Sequence, residues 1–234
     1  MSAFHAWFVT GTDTEIGKTT TTCVLMHAAR ARGFSTLGMK PVAAGAQIID
    51  GKLINEDAVR LLAASSFDPG PALLNPYCLR TPIAPHIAAE EENVRLEAAP
   101  IRQAFTALRA RCDALFVEGA GGFLSPLGEG FDAASLALDL ALPIILVVGM
   151  KPGCINHARL SAEAITARGL CFDGWVANCV QPDMPYLEKN IETLRRRIDV
   201  PLLGVLPYAP GAAPDTQAHL VTLPMHSLCQ EVQP

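Results

Sequence analysis

Nine residues near the N-terminus, from Gly11 to Thr19, combine residue types and a spacing that suit phosphate chemistry. They read Gly-Thr-Asp-Thr-Glu-Ile-Gly-Lys-Thr and lie between an apolar run that predicts a strand and a segment that predicts a helix. A glycine-bearing loop in that setting points backbone N–H groups and the positive end of a helix at one place, which favours phosphate. Lys18 would reach the β- and γ-phosphates of a nucleotide, and the Thr19 hydroxyl would bind Mg²⁺. Because five residues rather than four separate the two glycines, an ordinary strand–helix turn with a surface lysine is the alternative.

Two acidic positions are candidates for the rest of a metal site. Glu118 ends an apolar strand pattern, where a carboxylate is costly unless it meets a cation or hydrogen-bond donors. We predict that it binds Mg²⁺ beside Thr19; the alternative is a strand-end acid paired with a lysine. A second carboxylate would come from Asp57 or Glu56, although both could equally be acids favoured by a helix dipole. The glycines within 119–122 would allow a substrate to approach the backbone closely.

Two lysines and one helix start complete the candidate site. Lys40 ends a predicted strand, and there it could neutralise charge on a transferred phosphoryl group, as Lys151 could more weakly. Asn156 and His157 open a helix behind Gly153, which suggests a carboxylate-binding site; a capped helix start is an equal alternative.

The elements that must position these residues follow from the apolar pattern. The predicted strands are Ala6–Val9, Thr36–Lys40, Ala114–Glu118, Ile144–Val148, Gly174–Ala177 and Leu202–Leu206. Helical patterns fall near residues 18–32, 55–64, 96–111, 133–140, 155–168 and 185–198. Several strands are apolar on both faces, which indicates a parallel sheet covered by helices on both sides. The polar and glycine-rich clusters all follow strands, so they should meet at one edge of the sheet, where ligands bind in such folds. The proline-rich stretches 68–85 and 207–214 are predicted to be ordered loops.

The bulk composition limits the classes of function. The chain has 234 residues, of which 50% are hydrophobic and 18% charged, enough for one α/β domain over residues 1–234. Its net charge of −5 argues against recruitment of nucleic acid or anionic membrane. The sequence shows no signal peptide, and its seven scattered cysteines are interpreted as reduced thiols. These features predict a cytoplasmic protein.

The motifs in their order resemble the dethiobiotin synthetase family, which makes a P-loop NTPase-type fold of three layers with a mainly parallel central sheet. The resembling segments span nearly the whole chain: Val9–Thr19, Lys40–Ala43, Asn75–Tyr77, Pro85–Ile87, Val117–Gly122, Gly149–Ala158, Gly174–Asn178 and Pro201–Gly204.

The resemblance implies a homodimeric enzyme that uses ATP, Mg²⁺, CO₂ and 7,8-diaminononanoate. One substrate amine captures CO₂ as a carbamate, the carbamate attacks the γ-phosphate, and the second amine closes a cyclic urea. Implied nucleotide contacts come from Asp13, Thr14, Glu15, Ile16, Gly17, Lys18, Thr19, Thr20, Asn178 and Pro207. Thr19, Asp57 and Glu118 would hold Mg²⁺, while Lys18, Lys40 and Thr14 would act on the phosphoryl group and the carbamate. Lys40, Ala44 and Gly121 would line the substrate site, and Gly153 and Asn156, from the partner subunit, would take the substrate carboxylate.

This chain departs from the family pattern in ways that concern substrate affinity. The family often has a serine where this chain has Ala44, and a tyrosine where it has Asn190. Pro152 replaces a more usual aliphatic residue.

Three alternatives share the loop. A partitioning-type ATPase would place a signature lysine where Asp13 stands, a cobyrinate-type amidoligase would need a glutaminase domain, and a degenerate fold would not retain Lys18, Thr19, Lys40 and Glu118.

Overall fold

A parallel sheet of six strands forms the centre of the computed structural model, which describes residues 4–224. The strands of the protein, in chain order, are β1 (His5–Gly11), β2 (Thr36–Met39), β3 (Val42–Ala43), β4 (Gln47–Ile49), β5 (Lys52–Ile54), β6 (Tyr77–Cys78), β7 (Ala114–Glu118), β8 (Pro126–Gly128), β9 (Phe131–Asp132), β10 (Ile144–Met150), β11 (Phe172–Cys179) and β12 (Leu202–Leu206). The order across the central sheet is β12-β11-β10-β1-β7-β2, and every neighbouring pair is parallel. The six predicted strands are therefore the six strands of this sheet.

Helices cover both faces of the sheet. They are α1 (Lys18–Ala31), α2 (Glu56–Ala64), α3 (Pro71–Leu74), α4 (Pro85–Glu91), α5 (Ala98–Arg109), α6 (Ala133–Asp139), α7 (Cys154–Ala167) and α8 (Leu187–Arg195), with a 3₁₀ helix at Pro214–Leu220. The alternation of side chains along β1 explains the two layers, since successive residues of a strand point to opposite faces. Trp7 and Val9 pack with α1, α2 and the residues around the 3₁₀ helix, whereas Phe8 packs with the helices from α4 to α8. The predicted three-layer α/β fold with a mainly parallel sheet is confirmed.

Amphipathic spacing shows why one of these helices forms where it does. Residues Ile101, Ala104, Phe105 and Leu108 of α5 are buried, and their spacing places them on one helical face.

Several regions differ from the sequence predictions. The stretch 68–85 is not wholly loop, because it contains α3 and the short strand β6, which pairs with β3. Two small antiparallel hairpins, β4–β5 and β8–β9, were not predicted. The first turns at Asp50 and Gly51, both with positive φ, a dipeptide that strongly favours a hairpin turn. Strand β2 ends at Met39, so Lys40 lies one residue beyond it.

The cysteine prediction holds in part. Within residues 4–224, five cysteines are free thiols: Cys23, Cys78, Cys112, Cys154 and Cys179. Cys229 lies outside the described residues. Burial raises the pKa of the Cys23 thiol to about 12, so that thiol is unreactive at neutral pH. Cys171 is disulfide-bonded, so the expectation of reduced thiols is wrong there. Spacing along the chain carries no information on which sulfur atoms the fold brings together.

No helix within residues 4–224 combines the length and the apolar character needed to cross a bilayer.

Candidate functional site

The loop between β1 and α1 forms a turn at the carboxyl edge of the sheet, with a backbone conformation suited to an anion. Glu15 and Gly17 have positive φ angles of 56° and 76°, and Gly17 caps α1 without any side-chain hydrogen bond. The first backbone N–H that bonds back to the cap belongs to Thr21, which donates to the carbonyl of Gly17. The N–H groups before it lack intrahelical acceptors, as at every helix start, and they are the donors that a phosphate would meet.

Gly17 cannot be replaced without disturbing the loop. A Cβ built on it would collide with Nδ2 of Asn178, which itself donates a hydrogen bond of 2.7 Å to the carbonyl oxygen of Ile16. Asn178, near the end of β11, therefore fixes the loop from a strand two places away in the sheet.

Lys18 is buried, with 7% of its surface exposed, yet its ammonium group has no carboxylate within ion-pair distance among residues 4–224. Its Nζ donates to the backbone carbonyl of Asp13 at 2.8 Å. Burial, together with the nearby charge of Lys40, lowers the pKa of Lys18 to about 8. The side chain is therefore a desolvated cation held over the loop, as the chemistry of phosphate binding requires.

Thr19, Lys40, Asp57 and Glu118 form a connected polar cluster at the bottom of the site. The Thr19 hydroxyl oxygen lies 2.7 Å from Oδ1 of Asp57 and 2.7 Å from Oε1 of Glu118, although its single proton can be donated to only one of them. Nζ of Lys40 lies 2.6 Å from Oε1 of Glu118 and 2.9 Å from Oδ2 of Asp57. The two carboxylates thus share one lysine and one hydroxyl.

The charges of this cluster stabilise one another. Burial alone would lower the pKa of the Lys40 ammonium, but Glu118 and Asp57 hold that pKa above its ordinary value. Burial would raise the pKa of the Asp57 carboxyl, but Lys40 and the Thr19 hydroxyl hold it below its ordinary value. Lys40 and Asp57 are therefore both charged at neutral pH in this arrangement.

The oxygen atoms of this cluster match a magnesium site in which a bound ligand supplies the remaining oxygens. Oε2 of Glu118 is buried and has no hydrogen-bond partner among the described residues. No group of three or more His, Cys, Asp or Glu side chains within residues 4–224 could hold a metal by itself. Two carboxylates and a hydroxyl nevertheless fit Mg²⁺, which usually takes one or two carboxylates and obtains its other oxygens from phosphate and water.

Two asparagines orient this cluster, and their roles were not predicted. The Asn55 side chain caps α2 by accepting from the N–H groups of Asp57 and Ala58, and its Nδ2 donates to the carbonyl of Ala44 at 3.1 Å. Asn75 donates to the carbonyl of Lys40 at 2.6 Å. Asn55 followed by an acidic residue is a recognisable cap pattern, whereas no local signal links Asn75 to Lys40.

A cavity of about 750 Å³ opens above the cluster. The predicted site residues that line it are Thr14, Glu15, Gly17, Lys18, Thr19, Lys40, Ala44, Asp57 and Gly121. Glu118 is fully buried below it, and Glu56, the other candidate carboxylate, is exposed and does not line it. The cavity is also lined by residues that were not predicted to belong to the site, namely Ala43, Arg60, Pro82, Ile83, Ala84, Pro85, Ala120, Ser125 and Pro126.

Several predicted residues lie outside this cavity. Asp13 forms an ion pair with Lys151 at 2.7 Å, a contact that lowers the pKa of the Asp13 carboxyl. Ile16 is buried in the core, and Pro207 is exposed in the loop after β12. Gly153 caps α7 with a φ of 90° and Asn156 is exposed in its first turn, and neither residue lines the cavity.

A second cavity, of about 630 Å³, lies beside the first on the α1 and α2 side. It is lined by Thr20, Cys23, His27, Arg60, Ala63, Ala64 and the loop 209–214 that follows β12. Thr20 thus lies at this second cavity, next to the loop that carries Pro207.

Comparison with known proteins identifies relatives over nearly the whole chain. Residues 5–216 match the family model described as an AAA domain. The ATP-dependent dethiobiotin synthetase BioD of Aromatoleum aromaticum is 59% identical, with 96% of this chain and 100% of that protein covered. The enzyme of the same name from Xanthomonas axonopodis pv. citri is 51% identical, with 94% and 98% covered.

Solved structures resemble the chain in fold alone. The MinD cell division protein of Aquifex aeolicus matches with a TM-score of 0.54 at 15% identity, covering 88% of this chain and 83% of that one. The septum site-determining protein MinD of Pyrococcus horikoshii, in complex with Mg-ADP, matches with a TM-score of 0.55 at 20% identity, covering 89% and 82%. The resemblance drawn from the sequence motifs is confirmed by the relatives of high identity, and the chain belongs to the ATP-dependent dethiobiotin synthetase family.

Proposed function

We propose that the chain catalyses the ATP- and Mg²⁺-dependent carboxylation of 7,8-diaminononanoate and closes the ureido ring of dethiobiotin. The single observation that carries the proposal is the Thr19–Lys40–Asp57–Glu118 cluster below a cavity that the phosphate loop also lines. We further propose that residues 1–234 act as one domain, in a cytoplasmic homodimer in which Gly153 and Asn156 of one subunit serve the other's substrate site.

The reaction needs positioned charge more than covalent help. A substrate amine adds to CO₂ and loses a proton, which gives a carbamate. A carbamate oxygen then attacks the γ-phosphorus of ATP, and ADP leaves. In the carbamic–phosphoric anhydride so formed, the second amine attacks the carbonyl carbon, expels phosphate and loses a proton as the ring closes. Phosphoryl transfer of this kind is accelerated chiefly by positioning and electrostatic stabilisation.

The residues of the cavity have distinct roles in this proposal. Lys18 leaves the Asp13 carbonyl to bind the transferring phosphoryl oxygens, and Lys40 lies between that group and the carboxylates. Thr19, Asp57 and Glu118 would hold Mg²⁺, which would supply positive charge to neutralise the phosphates. Thr14, Ala44, Gly121 and Ser125 lie where the carbamate and the diamine chain would fit. Asn178 and the backbone near Pro207 lie on the side where adenine would bind.

A turnover assay tests the proposal. With ATP, Mg²⁺, labelled CO₂ and 7,8-diaminononanoate, we expect the label to appear in the cyclic urea and ADP to form only when diamine and CO₂ are both present. ADP formation that does not depend on diamine would instead indicate an ATPase switch of the partitioning type. The identity of residue 13 argues against that alternative, because an aspartate, paired with Lys151, stands where such proteins carry their signature lysine.

Glu118→Gln is expected to raise the Mg²⁺ concentration needed for half-maximal turnover by roughly tenfold or more. The amide keeps the shape of the side chain but loses the charge that a hard cation prefers. Titration of Mg²⁺ in the turnover assay measures the effect. Glu56→Gln is the matched control, since Glu56 precedes Asp57 but is exposed and lies outside the cavity. An unchanged metal requirement in Glu118→Gln would leave that carboxylate only its structural role as a partner of Lys40.

Ala44→Ser is expected to improve the apparent affinity for the diamine by roughly tenfold at most, because one hydrogen bond to a charged oxygen contributes about 1.5–3 kcal/mol before water is displaced. Ser125 already brings a hydroxyl to the same cavity, which further limits the gain. The affinity for ATP should stay the same, since Ala44 follows β3 and not the phosphate loop. KM values for the two substrates measure both effects. Weaker ATP binding with an unchanged diamine KM would contradict the placement of the diamine beside Ala44.

A further inference from the structure

Arg60 stands at the junction of the two cavities. It belongs to α2, is half-buried, and is the one residue that lines both the cavity of the phosphate loop and the second cavity beside it within residues 4–224. Its Nη2 donates a hydrogen bond of 2.7 Å to Oγ1 of Thr20 in the first turn of α1. The guanidinium group is therefore held against the helix whose N-terminus forms the anion-binding turn.

This arginine lacks a protein anion as partner. No carboxylate of the described residues lies within 4.0 Å of its guanidinium, whereas surface arginines such as Arg102 and Arg196 are paired with Asp139 and Glu192. The nearby Asp57 feels its charge but is occupied by Lys40 and Thr19. Of the five N–H donors of Arg60, the contact with Thr20 uses one. A half-buried cation with unused donors favours an anion that enters from solution.

The position of Arg60 indicates which part of a ligand it would meet. Lys18 and Thr19 serve the first cavity, and Thr20 is the next residue of α1. Beyond Arg60 the second cavity continues between α1 and the loop 209–214. A nucleotide whose phosphates contact Lys18 and whose nucleoside lies near the loop after β12 would therefore run alongside the guanidinium group of Arg60.

We propose that Arg60 binds the phosphate chain of the nucleotide, at the junction between the triphosphate cavity and the nucleoside side. The proposal rests on the proposed function, in that it takes a nucleotide to be the ligand of the phosphate loop. A planar guanidinium group offers two parallel N–H donors to phosphate oxygens, a geometry that lysine cannot reproduce. Lys18 and Lys40 are two cations of the site, and Arg60 adds a third at a different place.

Calorimetric titration with ADP, ATP and adenosine tests this role. Arg60→Met and Arg60→Gln are expected to raise the Kd of ADP and of ATP roughly ten- to a hundredfold, the size expected for charged hydrogen bonds to phosphate. Both variants should leave the Kd of adenosine unchanged. Gln keeps a polar N–H donor at this position while it removes the charge. In turnover, the KM for ATP should rise by the same factor while kcat at saturating ATP is retained. Arg196→Gln is the matched control, because Arg196 is an exposed arginine at the C-terminal cap of α8.

Each outcome bears on the proposal. An unchanged ADP affinity in Arg60→Gln, or an equal loss of affinity for adenosine, would overturn it, and Arg60→Gln decides the matter if Arg60→Met does not fold. Failure of the wild-type protein to bind ADP or ATP would overturn the proposed function as well. Normal nucleotide binding by the wild type, lost in Lys18→Ala but kept in Arg60→Gln, would overturn the role of Arg60 alone.

Discussion

Lys18→Ala is expected to reduce turnover by a factor of a hundred to a thousand or more while the protein stays folded. A lysine that stabilises developing charge in a desolvated site contributes about 3 kcal/mol or more to the transition state. Lys18 is buried and has the carbonyl of Asp13 as its hydrogen-bond acceptor, so its removal takes away an unpaired cation and not half of an ion pair. The free energy of unfolding should change little.

The measurements are initial rates with saturating substrates and a thermal unfolding curve. Lys189→Ala is the control, because Lys189 is exposed on α8, far along the chain from the phosphate loop. If Lys18→Ala keeps near-normal turnover, the loop does not act on phosphate; if it unfolds, the role of Lys18 is structural.

Lys40→Met is expected to abolish turnover and, unlike Lys18→Ala, to lower the free energy of unfolding by about 3–5 kcal/mol. Its ammonium lies 2.6 Å from Glu118, whose side chain is fully buried, so the substitution leaves a buried carboxylate without its cation. Removal of one partner of a buried pair costs more than removal of both. The double variant Lys40→Met/Glu118→Gln should therefore recover much of the lost stability but none of the turnover.

Chemical denaturation of the wild type, the two single variants and the double variant closes a thermodynamic cycle. Additive losses of stability would show that Lys40 and Glu118 are not coupled, contrary to the observed geometry. Turnover restored in the double variant would show that Lys40 serves only to neutralise Glu118.

Local patterns of apolar residues in the sequence were sufficient to predict the central sheet. Runs such as Ile144–Val148 are apolar on both faces, and a buried parallel strand requires that composition. The carboxyl edge of the sheet then brought Lys18, Lys40 and Glu118 together, as the rule for open α/β sheets requires. For this reason three residues far apart in sequence could be assigned to one site.

Features that depend on contacts between distant segments could not be predicted. Arg60 appears in the sequence as an ordinary polar position of an amphipathic helix, and only the packing of α2 against α1 brings it to Thr20. Asn75 reaches the carbonyl of Lys40 across 35 residues of chain. The hairpin at Asp50–Gly51 is different, because its turn dipeptide is a local signal in the sequence.

The pairing of β1 has a consequence for how the protein is made. This strand lies between β7 and β10, which begin at residues 114 and 144, so both of its edges are covered only by segments synthesised much later. A nascent chain that has emerged only as far as α6 carries β1 with one edge still open, and an open edge can pair with other chains. The Thr12 backbone N–H donates to the carbonyl of Val147, so it also has no partner until β10 has been synthesised. The nucleotide loop, although first in the sequence, is therefore among the last parts of the site to become rigid on the ribosome.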